Sequence, residues 1–441
     1  MSPDVIGSNM TDIKRSNWQD SPATTKRIRR RYRAEKRFKA YGLTAILLAL
    51  TMLGVLLVSI IDRGYPAFTS TKINIEIYFD EKLLDPQGSR KISNIQNSNY
   101  GAVLRKSLFA TFPNVETKSD KKLLIKLLSR NAKYELRDKV LNNLDIIGST
   151  QRVWLTAGTD VDLLHKGQNS QDIPESQRRL NNLQLSWINT LYAKESIKGV
   201  FNKDFFTNSD SREPEIAGIG GALVGSLFTL LITLLLAFPI GVATAIHLEE
   251  FAPKNRFTDF IEVNINNLAA VPSIVFGLLG LAIFIQVFHL PRSAPIVGGL
   301  TLMFMTLPVI IIATRSALAA VPPSIREAAY GVGASRVQVV SHHVLPLAIP
   351  GIMTGTIVGM ARALGETAPL LMIGMVAFIV DMPGGPFDAS TALPVQVFLW
   401  ADSPERGFVE KTSAAIIVLL GFLIMMNALA IYLRNKFEVR W

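Results

Sequence analysis

The sequence predicts an all-α membrane protein with six transmembrane helices and a small α+β domain between the first two. Three observations support this fold class. Apolar runs almost free of charge recur after residue 216, and about 20 such residues suffice to cross a bilayer. A separate apolar run, residues 40–61, directly follows a basic tail. Residues 62–215, between that run and the later ones, are polar and of mixed charge.

Composition excludes several chemistries. The 441 residues include no cysteine, so disulfides, thiolate nucleophiles and cysteine-bound metals are ruled out. The five histidines show no metal-ligand spacing with carboxylates, and the sequence contains no Gly-x4-Gly-Lys-Ser/Thr loop. We therefore expect no catalytic residues, no metal and no cofactor, and any nucleotide hydrolysis must come from another chain.

The net charge of +11 is concentrated in the N-terminal tail. Nine basic residues and a single acid, Glu35, occur between residues 26 and 39, directly before the first apolar run. A basic cluster in this position is typical of a cytoplasmic flank, because Lys and Arg are retained on the cytoplasmic side. We predict that residues 1–39 form a cytoplasmic tail that does not bind nucleic acid.

Residues 40–61 are predicted to be the first transmembrane helix. No small-x-small cleavage site follows the apolar core. The helix is therefore interpreted as an uncleaved anchor that stays in the lipid bilayer, rather than as a removed signal peptide.

Residues 62–215 are predicted to form a periplasmic insert domain. Ile73, Ile75 and Ile77 alternate with polar residues, a pattern typical of a half-buried strand. Apolar side chains recur at helical spacing after Pro174, which predicts a helix through Leu180, Leu183, Trp187 and Leu191. Strands and helices together predict a small α+β domain.

Residues 216–433 are predicted to form the membrane core, and residues 434–441 a cytoplasmic C-terminus. The core contains five further apolar spans, with approximate bounds Ile216–Ile246, Ile265–Phe288, Pro295–Thr314, Ile349–Val380 and Thr412–Leu433. Six spans place both termini on one side of the membrane. Basic residues favour the loops predicted to be cytoplasmic, whereas the predicted outer loops are poor in bases or net acidic, which indicates that both termini are inside.

The loop between the fourth and fifth spans, residues 315–347, is predicted to contain two short helices. Ser324 and Glu327 have the spacing of a capping box that would start the first helix. Gly333 should end that helix, because glycine readily adopts the left-handed conformation of a helix end.

The second short helix of the loop should begin at another capping box, formed by Ser335 and Gln338. It should end near Pro346 and place three apolar side chains on one side, those of Val337, Val340 and Val344. Two short helices joined at a glycine form an exposed knuckle, which suits docking into a cleft of a partner.

Two charged residues, Arg362 and Glu366, lie within the fifth predicted span. Each costs roughly 3 kcal/mol to place in hydrocarbon, so such residues normally face a cavity or a partner and mark a function. Pro369 beside Gly365 should bend the helix next to them. Small residues recur every four positions and predict close helix packing, at Gly351, Gly355, Gly359 and Ala363. By helical phase, both charged side chains should point toward protein rather than lipid.

An arginine suits phosphate because its planar fork donates two parallel hydrogen bonds. Glu366 would neutralise Arg362 in an empty path and could accept a hydrogen bond from a protonated phosphate oxygen. The alternative is a structural ion pair between the two. Arg315, at the inner end of the fourth span, is a second candidate for the path, and its alternative is an ordinary interfacial anchor.

The loop resembles the coupling loop of ABC importer permeases. The motif of that family is Glu-Ala-Ala, three residues, Gly, nine residues, Ile, one residue and Leu-Pro. Six residues match it in register, namely Glu327, Ala328, Ala329, Gly333, Leu345 and Pro346. His343 stands at the Ile position, a departure that affects the apolar contact normally made there. The resemblance implies a permease core of the MetI type that docks on a separate ATPase.

Residues 361–371, Ala-Arg-Ala-Leu-Gly-Glu-Thr-Ala-Pro-Leu-Leu, resemble the motif of phosphate importer permeases of the PstA type rather than the PstC type. The resemblance extends from about residue 216 to the C-terminus, and the N-terminal region exceeds the usual form of the family. It implies a phosphate path that includes Arg362, Glu366 and Thr367. It also implies a bacterial inner-membrane location and three kinds of partner: a PstC-type permease, a pair of ATPase subunits and a periplasmic phosphate-binding protein.

Two alternatives stay open. A permease for another oxyanion, such as sulfate or molybdate, is the alternative within the importer class. A secondary transporter is the mechanistic alternative, but it would not need a coupling loop, and no inverted repeat is visible in the sequence.

Overall fold

A computed structural model describes residues 22–168 and 174–437 of the chain. The chain divides into two compact units, Met1–Ser59 and Ile60–Trp441. Helix α1 (Pro22–Gly64) makes up the described part of the first unit and contains the whole apolar run predicted as the first span. Its side chains are exposed from residue 26 to residue 58. Residues 1–21 of the predicted tail lie outside the described residues.

The insert domain consists of a three-stranded antiparallel sheet and short helices, which confirms the predicted α+β domain. The sheet has the order β2–β1–β3, with β1 (Thr69–Tyr78), β2 (Thr150–Thr156) and β3 (Ile197–Phe201). The helices are α2 (Glu81–Leu84), α3 (Ile92–Gln96), α4 (Tyr100–Thr111), α5 (Lys118–Ile125), α6 (Ala132–Asn142), α7 (Thr159–His165), α8 (Asn182–Ala193) and α9 (Asp204–Thr207). Ile73, Ile75 and Ile77 are at most 2% exposed and lie in one apolar core, because successive side chains of a strand point to opposite faces.

The helix predicted after Pro174 begins later than the proline suggests. Helix α8 starts behind a reciprocal capping box, in which the N–H of Gln184 donates to the Asn181 side chain and the N–H of Asn181 donates to the Gln184 side chain. The box decides the boundary because it satisfies amide groups that are otherwise free at a helix start. Trp187 is buried as predicted, whereas Leu183 is 40% exposed.

The core after residue 216 is helical. Its helices are α10 (Gly220–Ile246), α11 (Arg256–Ala269), α12 (Ser273–Gly280), α13 (Pro295–Ala319), α14 (Pro323–Gly331), α15 (Arg336–Gln338), α16 (Leu345–Gly365), α17 (Ala368–Met372), α18 (Leu393–Ala401) and α19 (Gly407–Phe437). Within the described residues, five helical segments are long and apolar enough to cross a membrane, and a bent pair makes six if it counts as one span. This number agrees with the predicted fold class.

The bent pair corrects the third predicted span, Ile265–Phe288, which is not one continuous helix. Helix α11 is followed by α12 and its π-helical continuation Leu281–Val287, and the two parts meet at 101°. Pro272 explains the break, because the residue before a proline is pushed out of the helical conformation.

The fifth predicted span, Ile349–Val380, is also shorter in the structure. Helix α16 ends at Gly365, and α17 begins three residues later. Pro369 occupies the first turn of α17. Backbone N–H groups in a first turn have no acceptor within the helix, so the N–H that proline lacks costs no helical hydrogen bond there. The sequence predicts a bend at this point, and the structure shows a complete break.

Helices α13 and α16 pack closely through small residues, as the four-residue spacing predicts. A Cβ on Gly355 would overlap the Ala313 side chain, and one on Gly351 would lie 2.6 Å from the Ala317 side chain. Neither glycine can carry a side chain without moving the two helices apart, so these positions set the distance between them.

The insert domain is attached to the last membrane helix by buried charges, which we call the charged seam. The Lys166 ammonium group contacts the carboxylate of Asp162 at 2.6 Å and that of Glu410 at 2.8 Å. Gln168 also donates to Glu410, at 3.0 Å. Lys166 on the domain side and Glu410 on α19 are 6% and 3% exposed. Buried charges are tolerated only when they are paired in this way.

Candidate functional site

The first helix of the loop, α14, begins behind Pro322 without a side-chain cap, so the capping box predicted for Ser324 and Glu327 does not form. Two consecutive prolines remove the need for a cap, since the ring of the second presets the helical φ and leaves no N–H to satisfy. Glu327 and Ala328 are exposed, whereas Ala329 is only 5% exposed and packs inward. One face of this helix is therefore open to a partner.

Gly333 ends this part of the loop as predicted. Its φ of +84° lies in the left-handed region, and its N–H donates to the carbonyl of Tyr330 at 2.9 Å. The N–H of Ala334 donates to the carbonyl of Ala329 at 3.1 Å. These two bonds satisfy carbonyls at the end of α14, the usual role of a glycine after a helix.

The second predicted capping box is confirmed. The N–H of Ser335 donates to the Gln338 side chain at 2.9 Å, and the N–H of Gln338 donates to the Ser335 hydroxyl at 3.4 Å. The predicted end near Pro346 is wrong, because the chain stays helical from Arg336 to Gly365. A π-helical turn, Val339–Val344, precedes the proline, and its wider hydrogen-bond spacing accommodates the missing N–H.

The continuous helix changes which residues of the second segment are buried. Val340 and Val344 are at most 4% exposed, whereas Val337 is 63% exposed and does not share their face. His343 is exposed. Leu345 and Pro346 are partly buried at the start of α16. The motif residues thus comprise an exposed knuckle, from Glu327 to Gly333, and a helix that leads from it into the core.

Arg315 is bound by two carboxylates, neither of which was predicted from the sequence. It donates to Glu249 at 3.2 Å and to Glu262 at 2.7 Å. Glu249 lies on a π-helical turn that continues α10, and Glu262 lies on α11. Only tertiary structure brings these three residues together. The adjacent acids Glu249 and Glu250, directly after an apolar span, were the one sequence feature that could have pointed to them.

Arg362 lies in the last turn of α16, and among the described residues its side chain forms one ion pair, at 3.4 Å to Glu366. Their side chains are 46% and 21% exposed. Glu366 directly follows the helix end, and Thr367 precedes α17. The expectation that Arg362 points into protein is not met within this chain, because the helix ends here and leaves the guanidinium at the surface.

The structure does not bring Arg315 and Arg362 together. Gly355 packs against Ala313 in the antiparallel pair of α16 and α13, so Arg362 lies level with Thr306. Nine residues of helix, roughly 14 Å along the axis, separate that level from Arg315. The two arginines therefore form two sites.

No metal site accompanies these residues. Across residues 22–168 and 174–437, no group of three or more histidine or acidic side chains could hold a metal ion.

Two family models match the chain. Residues 237–438 match the model described as a binding-protein-dependent transport system inner membrane component, which defines the class of the membrane core. Residues 25–175 match a domain of unknown function, DUF3333.

Curated relatives agree with this class. The chain is 38% identical over 168 residues to a probable ABC transporter permease protein, YqgI, of Bacillus subtilis (strain 168), a match that covers 38% of this chain and 56% of that protein. It is 32% identical over 243 residues to the phosphate transport system permease protein PstA of Mycobacterium leprae (strain TN), a match that covers 54% of this chain and 78% of that protein. The phosphate transport system permease protein PstA 1 of Mycobacterium tuberculosis (strain CDC 1551 / Oshkosh) is 30% identical over 227 residues, a match that covers 51% of this chain and 70% of that protein.

The membrane core is that of an ABC transporter permease. With these relatives, the chain belongs to the PstA-type family of such permeases, extended by an N-terminal domain. Members of this class are non-catalytic membrane subunits, and a separate ATPase hydrolyses ATP.

Proposed function

We propose that this chain is a membrane subunit of an ATP-driven, high-affinity importer of inorganic phosphate in the bacterial inner membrane. The observation that carries the proposal is the exposed coupling knuckle, with Glu327 and Gly333 in motif register on a chain whose relatives include proteins named PstA. Phosphate, rather than sulfate or molybdate, is proposed because of those relatives and because Arg362 and Glu366 offer both a donor fork and an acceptor.

The partners follow from the open surfaces. A pair of ATPase subunits docks on the knuckle, where Glu327 and Ala328 are exposed. A second permease, of the PstC type, covers the face that leaves Arg362 46% exposed. A periplasmic phosphate-binding protein delivers the anion on the opposite side, in keeping with a family described as binding-protein-dependent.

The translocation path runs between the two permeases past Arg362, Glu366 and Thr367. The break between α16 and α17 supports this location, because the free backbone groups there can be satisfied only by a cavity, water or protein. Arg315 serves at the inner end of the path as an anchor, since two carboxylates already bind it.

Both termini are cytoplasmic in this proposal, and the insert domain, residues 62–215, is periplasmic. The insert domain attaches near Gly220 at one end of α10, and the coupling loop contacts the turn at its other end, near Phe251. The two regions therefore belong to opposite faces of the membrane.

The test is uptake of labelled phosphate at low micromolar concentration by cells that lack this chain and are complemented with it. We expect restored uptake that excess arsenate inhibits and excess sulfate does not. Inhibition by sulfate would replace the substrate with another oxyanion. Absence of uptake, with the partner subunits present, would overturn the proposal.

A further inference from the structure

Three consecutive residues at the inner end of α10 are each bound by an arginine from a different element. They belong to the π-helical turn His247–Phe251. Arg315 at the end of α13 donates to Glu249 at 3.2 Å, and Arg326 of α14 donates to Glu250 at 2.7 Å. The guanidinium of Arg336, which opens α15, lies 5.3 Å from the centre of the Phe251 ring. We call Arg315, Arg326 and Arg336 the arginine clamp.

Arg326 is the central member because it joins three elements at once. Besides Glu250, it donates to the backbone carbonyls of Leu318, in the last turn of α13, at 2.9 Å and of Val321, just after that helix, at 2.7 Å. The side chains of Arg326 and Glu250 are 21% and 11% exposed. Arg326 directly precedes Glu327, the first residue of the exposed knuckle. A displacement of the knuckle therefore acts on α10 and α13 through one guanidinium group.

The ion pairs of the clamp are better suited to transmitting movement between helices than to stabilising the folded protein. Its ion pairs are partly solvated, with side chains 11–31% exposed, so their net contribution to folding is modest. Their geometry is nevertheless restrictive, since an arginine that donates to several acceptors fixes both distance and orientation. A turn held at Glu249, Glu250 and Phe251 cannot rotate independently of the loop.

We propose that the arginine clamp positions the coupling helix α14 on α10, so that movement of the knuckle reaches α10 directly as well as α16. Arg326 and Glu250 are positioning residues in this proposal, which rests on the proposed function as an ATP-driven permease. It also connects the ATPase side to the insert domain, because the first residue of α10 and a residue just before it are bound to the segment that follows α9. The N–H of Gly220 donates to the carbonyl of Asn208, and that of Gly218 to the carbonyl of Ser209.

The experiment uses the complete complex, with both permeases, the ATPase pair and the binding protein, in proteoliposomes. ATP hydrolysis and phosphate uptake are measured in the same vesicles. For Arg326→Glu or Glu250→Arg alone, we expect at least about a fivefold loss of phosphate imported per ATP hydrolysed, while the ATPase still copurifies. The double exchange restores an ion pair of opposite polarity, but a glutamate at position 326 cannot donate to the carbonyls of Leu318 and Val321, so the ratio should recover only in part.

The control is a matched ion pair elsewhere. Lys106 and Asp80 of the insert domain also lie 2.7 Å apart, and their single and double exchange should leave the ratio unchanged. Single clamp exchanges with a normal ratio, or a double exchange no better than the singles, would overturn the proposal. If a charge reversal prevents assembly, Glu250→Gln supplies the same comparison.

A second readout separates the two proposals. Stimulation of ATP hydrolysis by the binding protein reports coupling without phosphate transport. If the wild type shows stimulation but imports no phosphate, the substrate assignment fails, and the clamp is still judged by whether Glu250→Gln lowers the stimulation.

Discussion

Lys166 at the charged seam and Arg362 at the end of α16 are both cations, but their surroundings differ. Lys166 is 6% exposed and contacts two carboxylates within 2.8 Å, whereas Arg362 is 46% exposed and lies 3.4 Å from the Glu366 carboxylate. A cation already neutralised inside the chain has little left to offer a ligand, and its role is structural. A cation left open at a helix break is available to an anion or to a second subunit.

The largest effect should follow from removal of the paired cation. Lys166→Met leaves the carboxylates of Asp162 and Glu410 buried without their partner, which costs roughly 3–5 kcal/mol of folding free energy. Thermal unfolding of the solubilised chain measures the loss. Lys106→Met, which breaks an exposed pair, should cost about 1 kcal/mol or less. Equal losses for the two variants would show that the seam does not stabilise the chain.

Removal of the open cation should affect transport instead. A phosphate-binding fork is worth roughly 1.5–3 kcal/mol, so Arg362→Ala should lower phosphate uptake at least about tenfold. Arg362→Lys keeps the charge without the fork and should lose less. Membrane levels should stay unchanged because the native side chain is 46% exposed and its ion pair with Glu366 is long, at 3.4 Å. Arg434→Ala, which removes a half-buried arginine that donates to the exposed Thr354 hydroxyl, is the control. Normal uptake by Arg362→Ala would make Arg362 a structural partner of Glu366.

The smallest effect concerns a carboxylate near the seam. Burial raises the pKa of Asp160 above its ordinary value, although the guanidinium of Arg179 at 3.8 Å opposes the shift. The raised pKa means that the charged form lowers the stability of the folded protein at neutral pH, and that this cost disappears as the pH falls below both the folded and the unfolded pKa.

Asp160→Asn removes that charge at every pH. The variant should melt slightly higher than the wild type at pH 7, by about 1 °C. The difference should shrink as the pH approaches the ordinary aspartate pKa of about 3.9. Paired melting curves across this range measure it, and a wild type that melts higher than the variant at pH 7 would contradict the sign.

Local features of the coupling loop could be predicted because they depend on neighbouring residues. Gly333 adopts a positive φ, and Ser335 and Gln338 form their capping box, since both features need only a few consecutive residues. The box expected at Ser324 fails for an equally local reason, the two preceding prolines, which start the helix before Ser324.

Other features depend on distant residues and could not be predicted. The helix continues past Pro346 because the preceding π-helical turn accommodates the N–H that proline lacks. No short sequence motif predicts such a turn. The two carboxylates that hold Arg315 are separated from it by 66 and 53 residues in the chain. Their contact exists only once α10, α11 and α13 have packed together.

The sequence by itself determined the class of this protein. The class was predictable from three features: the length of the apolar runs, the distribution of basic residues, and the motif spacing from Glu327 to Pro346. Each can be read from a local segment, because the thickness of the bilayer fixes how many consecutive apolar residues a spanning helix needs. Only the tertiary structure decided that Arg315 is bound by two carboxylates and that Arg362 is left exposed. The pairing of charges depends on helices brought together by close packing of small residues, and that packing is a property of the whole core.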